Sequence, residues 1–221
     1  MNMKPLANTL LCLALSLPGG AALADAGVVA ARTGTPTAQI VRTNERIDKL
    51  LKSRKGADDP AAKAEIRAIA GGLLDYDELA RRALSRHWDE LKPAQRVDFA
   101  RTLRQMIEKN YEKKLKSTDV DYKITYRDET VKGDEAVVPT SVKVKTKGKS
   151  TDTSVDYKMK KAEGGWAVYD IVTDEVSMVK TYREQFDKII TQESFDALLK
   201  KMRKRIQEIE DGDAKKTAPA H

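Results

Sequence analysis

Few side chains of this 221-residue chain have a type and spacing that could do chemistry. Asp170 is the first. It interrupts the alternating run Trp166-Ala167-Val168-Tyr169-Asp170-Ile171-Val172, where a period of two puts its carboxylate on the face of Trp166, Val168 and Val172. A carboxylate among apolar groups either takes a proton from a bound substrate or is held as an anion by a partner. Arg183, with its two-pronged guanidinium, and the Tyr182 hydroxyl are the partners the motif offers. The structural pair Asp170–Arg183 is the preferred reading, because no second catalytic group accompanies the carboxylate. Of the two histidines, His221 is terminal, and His87 stands beside Trp88 with no Ser or Asp spaced to make it a general base. There is no Gly-rich phosphate loop and no cluster with metal-ligand spacing, so the sequence points to no catalytic residue, no metal and no cofactor.

The first residues have the anatomy of a secretory signal. Lys4 supplies the positive start, Leu6 to Leu17 the apolar stretch, Pro18-Gly19-Gly20 the break, and Ala22-Leu23-Ala24 a small-x-small cleavage site. Residues 1–24 are therefore expected to be removed on export. The only cysteine, Cys12, goes with them, which excludes disulfides, thiol catalysis and cysteine metal sites in the mature chain. Loss of Lys4 lowers the formal net charge of +7 by one unit. The basic run Lys200-Lys201-Met202-Arg203-Lys204-Arg205 suits a solvated helix end and complements its dipole. Export removes nucleic acid as a partner, and no nucleic-acid-binding motif is present.

The elements that must position Asp170 follow from periodicity. Residues 25–34 read as a flexible leader. Thr35-Pro36 is a cap followed by a proline suited to the first turn, and Ile40, Ile47, Leu50 and Leu51 give that helix an apolar stripe. A short helix with Ile66, Ile69 and Leu73 is expected to be interrupted by Gly71-Gly72. Asp75 opens a helix with Glu78 at capping-box spacing, whose apolar face continues through His87 and Trp88. From Lys92-Pro93 runs a long helix striped by Phe99, Ala100, Leu103, Ile107, Tyr111 and Leu115. Four antiparallel strands follow: Val120 to Tyr126, Ala136 to Val144 with Pro139 marking an edge or bulge, Val155 to Met159, and Trp166 to Val172. Ser177 caps a helix carrying Met178, Val179, Tyr182, Phe186, Ile189 and Ile190, and a last helix ends near Ile206. Residues 207–221 turn polar and read as a disordered tail. Helices flanking a sheet with one apolar face predict an α+β domain over residues 35–206.

Two blocks carry a family resemblance. One is W-x-V-Y-D-I, V-S-x-V and Y-R-x-Q-F, from Trp166 to Phe186. The other is Asp75-Tyr76-Asp77, Ala80-Arg81, Leu84, His87-Trp88 and Pro93-Ala94-Gln95-Arg96, with Phe99 and Tyr111. In order and spacing the chain resembles the MlaC family, soluble periplasmic phospholipid carriers also known as toluene-tolerance auxiliary transport proteins. It departs from the family pattern at Lys92, where a capping Ser is frequent, and at Thr173-Asp174-Glu175, where a Gly is frequent.

The resemblance implies helices around a strongly curved four-stranded antiparallel sheet, cone-shaped as in NTF2-like folds, enclosing an apolar pocket. It implies a non-enzymatic carrier that moves phospholipid between an outer-membrane lipoprotein–porin complex and an inner-membrane ABC transporter complex with a lipid-binding hexamer, maintaining outer-membrane lipid asymmetry. The inward phases of the elements then nominate the residues that meet the acyl chains: Leu103, Ile107, Tyr111, Val138, Val142, Tyr157, Trp166, Val168, Tyr182, Phe186 and Ile190. Two other readings remain at this stage, a small-molecule isomerase using Asp170 and a protein-binding adaptor with a filled core. The signal anatomy makes a direct prediction: N-terminal sequencing of the exported protein should begin at Asp25, and recovery of a membrane-embedded species retaining residues 1–24 would contradict it.

Overall fold

The computed structural model describes residues 34–53, 59–115, 121–146 and 149–217; the signal segment and most of the leader lie outside them. The fold is α+β, with six α-helices and an antiparallel sheet among the described residues. The chain divides into two compact units.

The sheet unit holds helices α1 (Pro36–Ser53) and α2 (Pro60–Leu73) and strands β1 (Asp121–Tyr126), β2 (Thr130–Lys132), β3 (Glu135–Thr146), β4 (Lys149–Ala162), β5 (Gly165–Thr173) and β6 (Val176–Ser177). The order is β1-β3-β4-β5-β6, and β2 pairs with β3 beyond the end of β1. The sheet is thus six-stranded rather than four-stranded. The four long strands are the expected ones; β2 and β6 are too short to show a period.

Pro139 lies on interior strand β3, not on an edge. Its carbonyl accepts from the Arg127 N–H at 3.0 Å, so its ring nitrogen faces the same side, where the chain passes between β1 and β2. The missing donor falls at a break in the ladder.

α1 begins where expected. The Thr35 hydroxyl accepts from the Ala38 N–H at 3.2 Å. A second cap comes from far along the chain: Glu129 accepts from both the N–H and the hydroxyl of Thr37, each at 2.6 Å. A carboxylate at this end also opposes the positive pole of the helix. α2 is capped by Asp59, which accepts from the Ala61 and Ala62 N–H groups. Contrary to expectation, α2 continues through Gly71-Gly72. Tertiary contacts hold its exit: Leu74 bridges to Val168, and the Asp75 N–H donates to the Val168 carbonyl at 2.8 Å.

β5 turns into β6 through Asp174 and Glu175, both left-handed at φ 45° and 68°. Two such residues form the tight hairpin turn that suits strand twist but disfavours side chains. Asp174 offsets part of that cost by accepting from the Ser154 N–H at 3.0 Å.

The helical unit contains α3 (Tyr76–Leu84), a 3₁₀ turn (Ser85–His87), α4 (Pro93–Leu115), α5 (Met178–Gln192, within this unit from Val179) and α6 (Phe195–Thr217). α3 stops earlier than its apolar pattern suggests because Ser85 is left-handed, at φ 51°. Glu78 is buried and accepts from Arg81 and Arg82. The Arg81 hydrogen bond leads in holding its carboxyl down at about 2. At the start of α4, Lys92 offers no capping oxygen, and Gln95 reaches back to accept from the Lys92 N–H at 2.9 Å. The core of this unit is aromatic. Phe99 meets Phe186 edge-on at 5.6 Å, and Tyr182 stacks on Phe186 at 5.3 Å.

The final helix corrects a sequence expectation. α6 does not end near Ile206; it runs through the polar residues to Thr217, so residues 207–217 are helical rather than a disordered tail. Ile209 is buried, Lys109 pairs with Glu210 at 3.1 Å, and Gln207 donates to Asp211 at 2.9 Å. A buried apolar residue, one i,i+4 pair and the Lys109–Glu210 ion pair support the helix where the stripe itself has faded.

The β5–β6 turn yields a stability prediction. Glu175→Gly should raise the unfolding free energy by about 1 kcal/mol, since only the left-handed strain of the side chain is removed. Denaturant unfolding measures it, and a destabilised variant would show that the turn is not strained.

Candidate ligand-binding site

The apolar face of the sheet is assembled from alternate residues. Ala136, Val138 and Val142 on β3, Val155, Tyr157 and Met159 on β4, and Val168 and Ile171 on β5 form one buried cluster with Ile40 of α1 and Leu73 of α2. Trp166, Ile124, Tyr126, Leu74 and Val144 pack against it, partly buried. The structure therefore brings together the sheet-borne candidates Val138, Val142, Tyr157 and Val168, with Trp166 beside them. Ala136, Val155 and Met159 share the same phase and could have been nominated by it.

Ile171 was hidden by a bulge. Lys158 pairs with Asp170, yet Met159 pairs with Val168, which leaves Tyr169 as an extra residue on β5. The bulge shifts the phase, so Val168 and Ile171 share the cluster although they are three apart in sequence.

In the helical unit, Leu103, Ile107, Tyr182 and Phe186 are buried and Ile190 is half-buried. Tyr111 lies on α4, with its side chain outside the described set. Met106 is a buried neighbour that the stripe omitted.

The same bulge changes the reading of Asp170. It does not share the Trp166–Val168 phase; it pairs across the ladder with Lys158, beside the Tyr157–Ile171 pair that belongs to the apolar cluster. Asp170 as a whole is 3% exposed. Ser177 donates its hydroxyl hydrogen to Asp170 Oδ2 at 2.7 Å, and Lys158 Nζ lies 3.4 Å from the same oxygen. Arg183, the partner nominated by the motif, lies in the helical unit, where its Nε donates to the Arg82 carbonyl at 3.1 Å.

His87 is placed between carboxylates. Its Nε2 lies 2.9 Å from Asp187 Oδ1 and its Nδ1 lies 3.5 Å from Glu90 Oε2. Asp187 also accepts from Arg86, and the His87 hydrogen bond leads in holding its carboxyl below the usual range. An imidazole between two carboxylates has no hydroxyl to activate, so this cluster fits a structural link between the 3₁₀ turn and α5. Among the described residues, no group of three or more His, Cys, Asp or Glu is placed to hold a metal, and no helix is long and apolar enough to cross a membrane.

The antiparallel sheet thus has one continuous hydrocarbon face covered by α1 and α2 through Ile40 and Leu73, the layered arrangement of an α+β unit. The MlaC protein family model matches residues 42–204, most of the chain, and the chain belongs to that family. As a family member it is not an enzyme. A solved phospholipid-binding protein from Ralstonia solanacearum, in complex with a phospholipid, has a similar fold. The TM-score is 0.63 at 18% identity, over 78% of this chain and 97% of that one. No curated protein matches the chain.

Asp170 supplies the prediction from this site. Asp170→Ala should lower the unfolding free energy by about 1–3 kcal/mol, from the lost hydrogen bonds. The loss stays below that of a fully buried ion pair because Lys158 is 37% exposed and can turn to water. Denaturant titration checks this; unchanged stability would show that the carboxylate has no structural part.

Proposed function

We propose that this protein is a periplasmic phospholipid carrier that receives lipid at one membrane complex and delivers it at another. The observation that carries the reading is the match in fold, over nearly the whole of the Ralstonia protein, to a structure holding a phospholipid. Family membership agrees with it. The physical need is plain: each methylene of an acyl chain costs about 0.8 kcal/mol in water, and a protein that encloses the chains removes that cost during transit.

In this reading the acyl chains are received by the apolar side chains nominated above. Val138, Val142, Tyr157, Trp166 and Val168 are the candidates of the sheet unit. Leu103, Ile107, Tyr111, Tyr182, Phe186 and Ile190 are those of the helical unit. The partners are an outer-membrane lipoprotein–porin complex and an inner-membrane ABC transporter complex with a lipid-binding hexamer. The signal anatomy of residues 1–24 supports the periplasm as the working compartment.

Substitution at the sheet face tests the reading. Val142→Trp should reduce co-purified phospholipid several-fold while the protein still unfolds cooperatively. An outward change on the same strand, Lys143→Gln, should leave the lipid content unchanged. Quantitative lipid mass spectrometry on both variants checks it; equal lipid in Val142→Trp and wild type would remove the sheet face from the site.

A further inference from the structure

One end of the sheet, built from the start of β1, the end of β3 and the start of β4, differs from the rest. On the face turned away from the apolar cluster, Lys123 of β1 stands directly opposite Lys143 of β3, and Lys145 follows two residues on. All three are exposed, and among the described residues no carboxylate pairs with any of them. Asp152, opposite Lys143 on β4, is engaged elsewhere, accepting from the Ser141 hydroxyl. Asp121 is the register partner of Lys145, with its side chain outside the described set. Two ammonium groups opposed across a ladder repel, so the fold retains a cost here that one neutral residue would remove. The other face of the same strands loses its cover at this end. Val138 and Val142 are buried, whereas Ile124, opposite Val142, and the Tyr122–Val144 pair are half-buried. Towards the start of β4, Thr153 and Thr151 take the places after Val155 on this face, and Thr151 is exposed. This end of the sheet is amphipathic, apolar on one side and cationic on the other.

We propose that this end of the sheet docks against an anionic lipid surface, an inference that rests on the carrier reading above. The residue types select a lipid surface over an acidic protein. Lys meets an anion as a compact, hydrated point charge on a flexible stem, whereas protein interfaces favour Arg and deplete Lys. A plane of phosphate groups relieves the Lys123–Lys143 repulsion without demanding one fixed geometry. The lysine stems reach the headgroups while Tyr122, Ile124 and Val144 meet the boundary of the hydrocarbon, the level at which aromatic rings settle. The net positive charge of the chain draws it to the same surface over a longer range. The lysines act on the approach to the bilayer and not on the seat of the acyl chains, so the lipid content at equilibrium is set elsewhere.

The experiment sediments the mature protein with vesicles of pure phosphatidylcholine and with vesicles of phosphatidylcholine and phosphatidylglycerol in equal parts. Wild type should bind the anionic vesicles alone, and added salt should release it. A lysine at an anionic surface is worth about fivefold in affinity, so Lys145→Gln should lose about fivefold, and the triple variant Lys123→Gln, Lys143→Gln, Lys145→Gln roughly tenfold or more. The triple variant should melt no lower than wild type, since an opposed like-charge pair is removed; where it does, Lys145→Gln alone decides. Lys188→Gln, Lys200→Gln and Lys204→Gln together remove the same charge from exposed positions of the helical unit and should leave the affinity within about twofold. Equal binding to both vesicles, binding to neither, or the same loss in both triple variants overturns the inference and leaves the carrier reading standing. Phospholipid extracted from the same wild-type preparation separates the two: protein that binds anionic vesicles through these lysines yet carries no phospholipid keeps the docking surface and defeats the carrier reading.

Discussion

The pairing of β4 with β5 is the constraint on which the sheet depends. Because side chains alternate with a period of two, a slip of one residue moves a whole set of side chains to the other face. Here a slip is built in once, at Tyr169. Before it, Val168 belongs to the apolar face; after it, Ile171 does. Without the extra residue, Ile171 would leave the face and Asp170 would take its place, opposite Tyr157. The bulge is thus what lets an acidic residue stand in the middle of an apolar strand while the hydrocarbon face stays continuous.

Asp170 gains from the same shift. Its register partner becomes Lys158, and the short return strand β6 brings the Ser177 hydroxyl to its other side. That return depends on the tight turn at Asp174 and Glu175, where two left-handed residues tolerate strain to close the hairpin. A second long-range tie works at the other edge. Glu129, between β1 and β2, caps α1, whose Ile40 sits in the sheet cluster. Local strain and side-chain caps are thus placed where they fix the edges of an apolar surface, and the surface itself is left without charge.

Much of this was legible in the sequence because it depends on local periodicity. The alternation on β3 from Ala136 to Val144, the Thr35-Pro36 helix start and the Phe99–Leu103–Ile107 stripe are each visible in a short window. What was not legible depends on contacts between distant segments. The bulge exists only in the register of two strands, so the phase read at Trp166 could not be carried through to Val172. Gly71-Gly72 stay helical because the residues after them bridge to Val168. The helical span to Thr217 is secured in part by Lys109, which sequence distance conceals. As for the site, the phase that nominated Val138, Val142 and Tyr157 equally nominated Ala136, Val155 and Met159. Periodicity identifies a face, and the choice among its members requires knowledge of what lies against it.

The central claim is that this face belongs to a protein built to carry phospholipid. The most direct measurement is organic-solvent extraction of the mature wild-type protein, purified without detergent from a bacterial periplasm, followed by quantitative lipid mass spectrometry. The account predicts phospholipid in near-stoichiometric amount, retained through gel filtration. Protein that is folded and monodisperse but free of phospholipid, whatever the membrane source, would contradict it.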